Sequence, residues 1–221
     1  MRPPIAELRG IGVVFGDIRA LDGVEVSLAP GEFVAVTGHS GAGKTTLLSV
    51  LAGIVRPDTG TALVGGEHVH DREHSVALGV SLIPQGNALA AALTAYENVL
   101  APLLATGVRR HPAMDRARRA LAAVGLEASR GHLVEPLSGG PPQRVAVARG
   151  IALEAPILLA DEPTSELDHD NRERVLDLLR SRADAGTAVL MATHDPEAAG
   201  HADRVLALDD GRLGMPTRVP T

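Results

Sequence analysis

Phe33-Val34-Ala35-Val36-Thr37 runs directly into Gly38-His39-Ser40-Gly41-Ala42-Gly43-Lys44-Thr45-Thr46, and an apolar helical pattern through Leu47, Leu48, Leu51 and Ala52 follows, with Gly53 placed to stop it. The order strand, glycine loop, helix is one βα unit. Residues 38–45 match G-x-x-x-x-G-K-[ST] at every fixed position. Glycines let successive backbone N–H groups turn inward onto a phosphate. The helix that follows adds the positive end of its dipole. Lys44 then supplies a point charge for β- and γ-phosphates, and the Thr45 hydroxyl stands where a Mg²⁺ ion needs an oxygen. Residues 38–46 are therefore the candidate nucleotide-binding loop.

Downstream, Ile157-Leu158-Leu159-Ala160 is an all-apolar run of the kind buried on both faces of a parallel sheet, and it ends in Asp161-Glu162. Ligands of open α/β sheets gather at the carboxyl ends of strands. Asp161 is the candidate Mg²⁺ ligand, through water, as a hard oxygen donor. Glu162 is the candidate general base on an attacking water. Taken alone, Asp-Glu-Pro is a common surface turn; joined to the glycine loop, the two motifs expect each other.

Between these motifs the character of the chain changes. Short β-type runs fill the first quarter, Val13 to Phe15 and Val24 to Leu28, and Thr61 to Val64 and Val80 to Ile83 read as further strands. Thr94-Ala95-Tyr96-Glu97 has capping-box spacing and predicts a helix start. Arg116 to Val124 reads as a second, Arg-rich helix with a solvated face, ending at Gly125. After residue 157 the alternation of strand and helix resumes, with Asp168 to Ala183 helical, Thr187 to Thr193 a buried strand and Arg204 to Leu208 an edge-like strand. The expectation is an α/β fold with a helical insertion.

Composition narrows the function classes. The chain has 221 residues, a net charge of -6 and no cysteine. The charge gives no bulk attraction to nucleic acid, and a thiolate nucleophile, a disulfide scaffold and a Cys-type zinc site are excluded. Ser75 to Tyr96 carries no charge, yet Pro84-Gln85-Gly86-Asn87 interrupts it, so it reads as strand, polar loop and helix start rather than a membrane span. No apolar segment of signal-peptide type follows Met1. With only one Tyr and two Phe, each aromatic needs a reason.

With both motifs in place the sequence resembles the ATP-binding cassette (ABC) ATPases over nearly its whole length. Leu137-Ser138-Gly139-Gly140, followed by Gln143-Arg144-Val145-Ala146-Val147-Ala148-Arg149, looks like the family signature and its helix. Gln85 sits where the Q-loop glutamine belongs, Ser165-Glu166-Leu167-Asp168 resembles the D-loop, and Thr193-His194-Asp195 resembles the switch-histidine segment. Phe15 falls where the family places an aromatic on adenine. Each has a plainer alternative: Phe15 in the core, Gln85 solvated, His194 structural. The other eight histidines show no metal spacing and read as surface residues.

The resemblance implies a P-loop NTPase fold, a RecA-like core sheet flanked by helices, with an N-terminal antiparallel β subdomain and an inserted α-helical subdomain. It implies one cassette over 1–221, with 1–86 and 141–221 as catalytic core and 87–140 as the helical lobe. It further implies ATP and Mg²⁺ as ligands, with Thr45, Gln85 and Asp161 at the metal. Glu162 and His194 would be catalytic, and Phe15 and residues 38–46 would hold the nucleotide. Two cassettes would pair head to tail, Ser138, Gly139 and Gly140 of one completing the site of the other and Asp168 joining the two. A membrane permease on a separate chain is the implied partner. The cassette would sit in the cytoplasm on the inner face of the cell membrane, touching the membrane only through the permease, with no nucleic-acid partner.

The run Leu93 to Val99, then Pro102-Leu103, is similar to cassettes of the MacB, LolD and FtsE type, which suggests extrusion or export. Two other readings stay open: a weakly hydrolysing subunit paired with an active cassette, and a soluble ABC ATPase outside transport. Pro141-Pro142 stands where the family carries polar residues. If Ser138 caps the helix, Pro142 forfeits one helix hydrogen bond. The expectation is a weakened dimeric site, with Pro141→Gln raising steady-state hydrolysis.

Overall fold

The computed structural model describes residues 3–134, 140–214 and 217–218. Ser138 and Gly139, candidate residues of the signature, lie outside them. The chain divides into two compact units, one of residues 1–82, 156–162 and 179–221, the other of 83–155 and 163–178.

The first unit holds two sheets. β1 (Ala6–Phe15) and β2 (Ile18–Leu28) form an antiparallel hairpin, and β4 (Thr59–Val64) with β5 (Glu67–His68) extends it in the order β2-β1-β4-β5. Ala6, Leu8, Ile11 and Val13 of β1 and Leu21, Val24, Val26 and Leu28 of β2 are buried. Their spacing sends one face of the hairpin inward. Both strands outrun the short runs read from sequence, because a half-exposed strand needs apolar residues only at alternate positions.

The second sheet runs in the order β10 (Arg212–Leu213), β9 (Arg204–Asp209), β3 (Phe33–Thr37), β8 (Ala188–Thr193), β7 (Ile157–Asp161), β6 (Val80–Ile83), with β11 (Thr217–Arg218) also on β9. β3 is parallel to both β8 and β9, and β7 is parallel to β8. Every residue of β7 and β8 is buried, as continuous apolar strands covered on both faces must be. The edge-like reading of Arg204 to Leu208 is corrected: β9 has β3 on one side and β10 and β11 on the other. Its alternating burial reflects one covered face, not a free edge. α1 (Lys44–Leu51), α2 (Arg72–Ala77) and α7 (Pro196–Ala199) complete this unit. α2, unread from the sequence, starts where Asp71 accepts from the His74 N–H.

In the second unit α3 (Ala95–Ala105), α4 (Arg110–Ala123) and α5 (Gly140–Ala152) pack on one another. The capping box forms as the spacing predicts: Glu97 N–H donates to the Thr94 hydroxyl, and Thr94 N–H donates to the Glu97 carboxylate. α4 begins at Arg110, earlier than its apolar pattern suggested, because Pro112 falls in the first turn, where a missing N–H costs nothing. Its arginines are not simply solvated either, since Arg116 pairs with Glu154 at 2.9 Å and Arg119 approaches the same carboxylate at 3.6 Å. α6 (His169–Asp184) follows Asp168. Among the described residues no helix is long and apolar enough to cross a membrane.

Candidate active site

Sheet register decides where the chemistry can gather. Thr37 of β3 pairs with Thr193 of β8, and Asp161 of β7 pairs with Ala192. The glycine loop, Asp161-Glu162 and His194 therefore leave adjacent strands at one common edge, the carboxyl end of the parallel strands.

The loop is built to lie close against its own sheets. A Cβ on Gly38 would come within 2.2 Å of the Leu208 carbonyl, and one on Gly43 within 2.4 Å of the Ala20 carbonyl. Gly43 also has φ +106°, in the left-handed region, so these two fixed glycines answer to close approach and backbone geometry together. Gly43 caps α1 without a side-chain hydrogen bond, and the first turn of α1 has no acidic residue. The N–H groups of that turn are thus left for an anion. Lys44, buried, donates to the Gly38 carbonyl at 2.7 Å and to that of His39 at 3.0 Å. Its ammonium also lies 3.9 Å from Glu162.

His39 takes part through its backbone. Its ring accepts no phosphate-facing role here: Nδ1 donates to the Ser40 carbonyl at 2.7 Å, and Nε2 lies 3.3 Å from Asp209 and 3.5 Å from Asp210. Those three exposed side chains bring ligand atoms within 4.8 Å of one another. His39 is a surface residue, as read from the sequence; its acidic neighbours lie 170 residues or more away and are invisible to spacing.

Asp161 is 4% exposed, and its Oδ1 is buried with no hydrogen-bond partner. Burial pushes its carboxyl above the usual range, and nearby Glu162 pushes the same way; the Thr45 hydroxyl donated to it and the Lys44 charge pull back. A buried carboxylate with an orphaned oxygen beside a threonine hydroxyl is a hard-oxygen donor set that fits Mg²⁺.

Glu162 has φ +49°, a left-handed conformation rare for a side-chain-bearing residue. Its N–H donates to the Ala192 carbonyl, extending the β7–β8 ladder by one residue. Its carboxylate accepts from His194 Nδ1 at 2.9 and 3.0 Å. That bond fixes the hydrogen on Nδ1 and leaves Nε2 as the ring atom for a substrate. Glu162 is buried and the His194 side chain is 66% exposed, so the pair runs from the interior to the surface. Phe15, at the end of β1, is 51% exposed; it is not a core residue.

The remaining candidates lie in the second unit. Gln85 follows β6 and is exposed. Gly140 is the first described residue of α5, and Pro141 and Pro142 follow it in the helix. The expected loss of a helix hydrogen bond at Pro142 turns on Ser138 as the cap, and Ser138 lies outside the described residues. Asp168 accepts from the Asn171 N–H at 2.9 Å and from its side chain at 2.8 Å. These two bonds, the backbone one first, hold its carboxyl below the usual range. Asp168 is thus the N-cap of α6, a structural role the sequence reading did not include.

Two side chains of α5, Gln143 and Arg149, hold neighbouring segments. Gln143, buried on α5, donates to the Ser165 hydroxyl at 3.2 Å and accepts from the Glu166 N–H at 2.8 Å. Arg149 donates from Nη2 to the Asn87 carbonyl at 2.7 Å and from Nη1 to the Ala88 carbonyl at 2.5 Å. Polar side chains on a helix otherwise made of Val, Ala, Ile, Gly and Pro were the available signal.

Residues 21–165 match the ABC transporter family. The lipoprotein-releasing system ATP-binding protein LolD of Chromohalobacter salexigens is 42% identical over 204 residues, 89% of this chain and 86% of its own length. The macrolide export ATP-binding/permease protein MacB of Rhodospirillum rubrum is 39% identical over 220 residues, 96% of this chain but 34% of its own length. Among solved structures, the ATP-binding cassette MJ0796, as a dimer in a post-hydrolysis state with ADP and Pi, superposes with a TM-score of 0.90 at 30% identity, covering 98% of this chain and 99% of that one.

Proposed function

Because the chain belongs to the ABC transporter family, as an ATP-binding subunit of the LolD and MacB type, we propose that it hydrolyses ATP and that two copies do so together. Residues 38–46 hold the phosphates of ATP, and Phe15 stacks on the adenine. Thr45, Asp161 and Gln85 hold Mg²⁺, which when bound neutralises charge on the phosphates. Glu162 takes a proton from the attacking water. His194, held through Nδ1 by Glu162, meets the γ-phosphate with Nε2.

A second copy closes the site with Ser138, Gly139 and Gly140, and Asp168 stands near the contact between copies. The helical lobe, residues 87–140, meets a membrane permease on another chain, on the cytoplasmic face of the membrane. The names of the two relatives, lipoprotein release and macrolide export, favour an export or extrusion task.

The observation that carries this reading is the gathering of loop, orphaned Asp161 oxygen and Glu162–His194 pair at one sheet edge. Steady-state phosphate release by the full chain tests it. Lys44→Ala and Glu162→Gln should each lower the rate by about a hundredfold or more, and His194→Ala should lower it comparably. A wild-type rate no higher than that of Glu162→Gln would instead support a non-hydrolysing subunit that needs an active partner.

A further inference from the structure

We propose that Arg149 is a positioning residue for Gln85. It acts from α5 by clamping the two residues that follow the Gln85-Gly86 turn. Asn87 has φ +65° and Ala88 φ +46°, two consecutive side-chain-bearing residues in the left-handed region. A Cβ makes that conformation unfavourable, and an alanine has no side-chain hydrogen bond to offset it. Something outside the segment has to hold it.

Arg149 supplies the hold. The two terminal nitrogens of its guanidinium donate to the carbonyls of Asn87 and Ala88, one each. A planar fork with fixed donor spacing suits two successive carbonyls, which a single ammonium cannot serve at once. Within the segment, Ala88 N–H donates back to the Gly86 carbonyl at 2.7 Å, so the clamp tightens a turn only one residue past Gln85. The same helix also holds the segment before Asp168, through Gln143 on Ser165 and Glu166. α5 opens at Gly140, so the helix carrying the signature residue also fixes the placement of Gln85. The consequence for hydrolysis rests on the reading of Gln85 as a residue that attends Mg²⁺.

The test uses the full chain and two readouts. In the nucleotide-free protein, Arg149→Met should speed amide exchange across residues 85–88 by about tenfold while the thermal midpoint stays within about 2 °C. In steady state it should lower ATP hydrolysis about fivefold and raise the Mg²⁺ concentration for half-activation several-fold. Ala88→Gly, harmless alone, should restore both in the Arg149→Met background, because glycine takes positive φ without cost. Ala88→Val should reproduce the defect with Arg149 intact, and it carries the same comparison if Arg149→Met does not fold. Gln85→Ala should shift the Mg²⁺ curve by itself, and Arg149→Met should add nothing to it.

Unchanged exchange and an unchanged Mg²⁺ curve in Arg149→Met and Ala88→Val would overturn the proposal and leave the role of Gln85 standing. So would a defect that Ala88→Gly does not restore and that adds fully to Gln85→Ala. A Gln85→Ala protein with the wild-type Mg²⁺ curve would overturn the reading of Gln85, and this proposal with it.

Discussion

At the scale of single residues, Asp161 shows the tension in the site most plainly. Its carboxyl is buried, its Oδ1 has no partner, and its pKa stands above the usual carboxylate value, chiefly because of burial. A carboxyl whose folded pKa is raised contributes its full stability only below its unfolded pKa, and loses it as pH rises through the folded one. Above its folded pKa the metal-free fold therefore carries an ionised group that burial disfavours. Asp161→Asn does not titrate. It should melt about 3 °C above the wild-type metal-free protein at neutral pH, and that gap should close as pH falls below the carboxylate range. Mg²⁺ with nucleotide should raise the melting point of the wild type more than that of Asp161→Asn. A differential scanning calorimetry series in pH, with and without Mg²⁺, reads all three effects. Pro141 belongs to the same scale. Pro141 stands where the family carries a polar side chain. Pro141→Gln should then raise steady-state hydrolysis about twofold to fivefold without changing the melting point, the outcome expected if that side chain meets nucleotide or the second copy.

At the scale of elements, legibility followed the physical origin of each signal. β3, β7 and β8 were legible as continuous apolar runs because both their faces are covered. The α3 start was legible because the capping box is local in sequence. α2 was not, since six residues with one fully buried side chain, Ser75, offer no apolar period. The pairing of β9 was equally hidden, because which strands flank a strand is decided by partners distant in the chain. In the site, the loop and the Asp161-Glu162 pair were legible from spacing. The Glu162–His194 hydrogen bond joins residues 32 apart, and the His39 acidic neighbours are further still. Asn98 gives a test at this scale. Buried in α3, it donates to the carbonyls of Ala90, Leu93 and Thr94 and accepts from the Ala90 N–H. Asn98→Ala leaves those groups short of a partner and should cost about 2–3 kcal/mol in urea unfolding. Its effect on ATP binding should be small.

At the scale of the whole molecule, one chain is proposed to hold only part of a site. The nucleotide loop, the metal oxygen and the Glu162–His194 pair all belong to the first unit. The Ser138-Gly139-Gly140 segment of another copy is the proposed supplier of the rest. The most direct measurement is the molar mass of Glu162→Gln in solution, by multi-angle light scattering, with Mg²⁺ and either ATP or ADP. The account predicts a dimer with ATP, a monomer with ADP, and a monomer in both when Ser138→Arg is added. A monomer with ATP, or a dimer that forms whatever the nucleotide and survives Ser138→Arg, would contradict it.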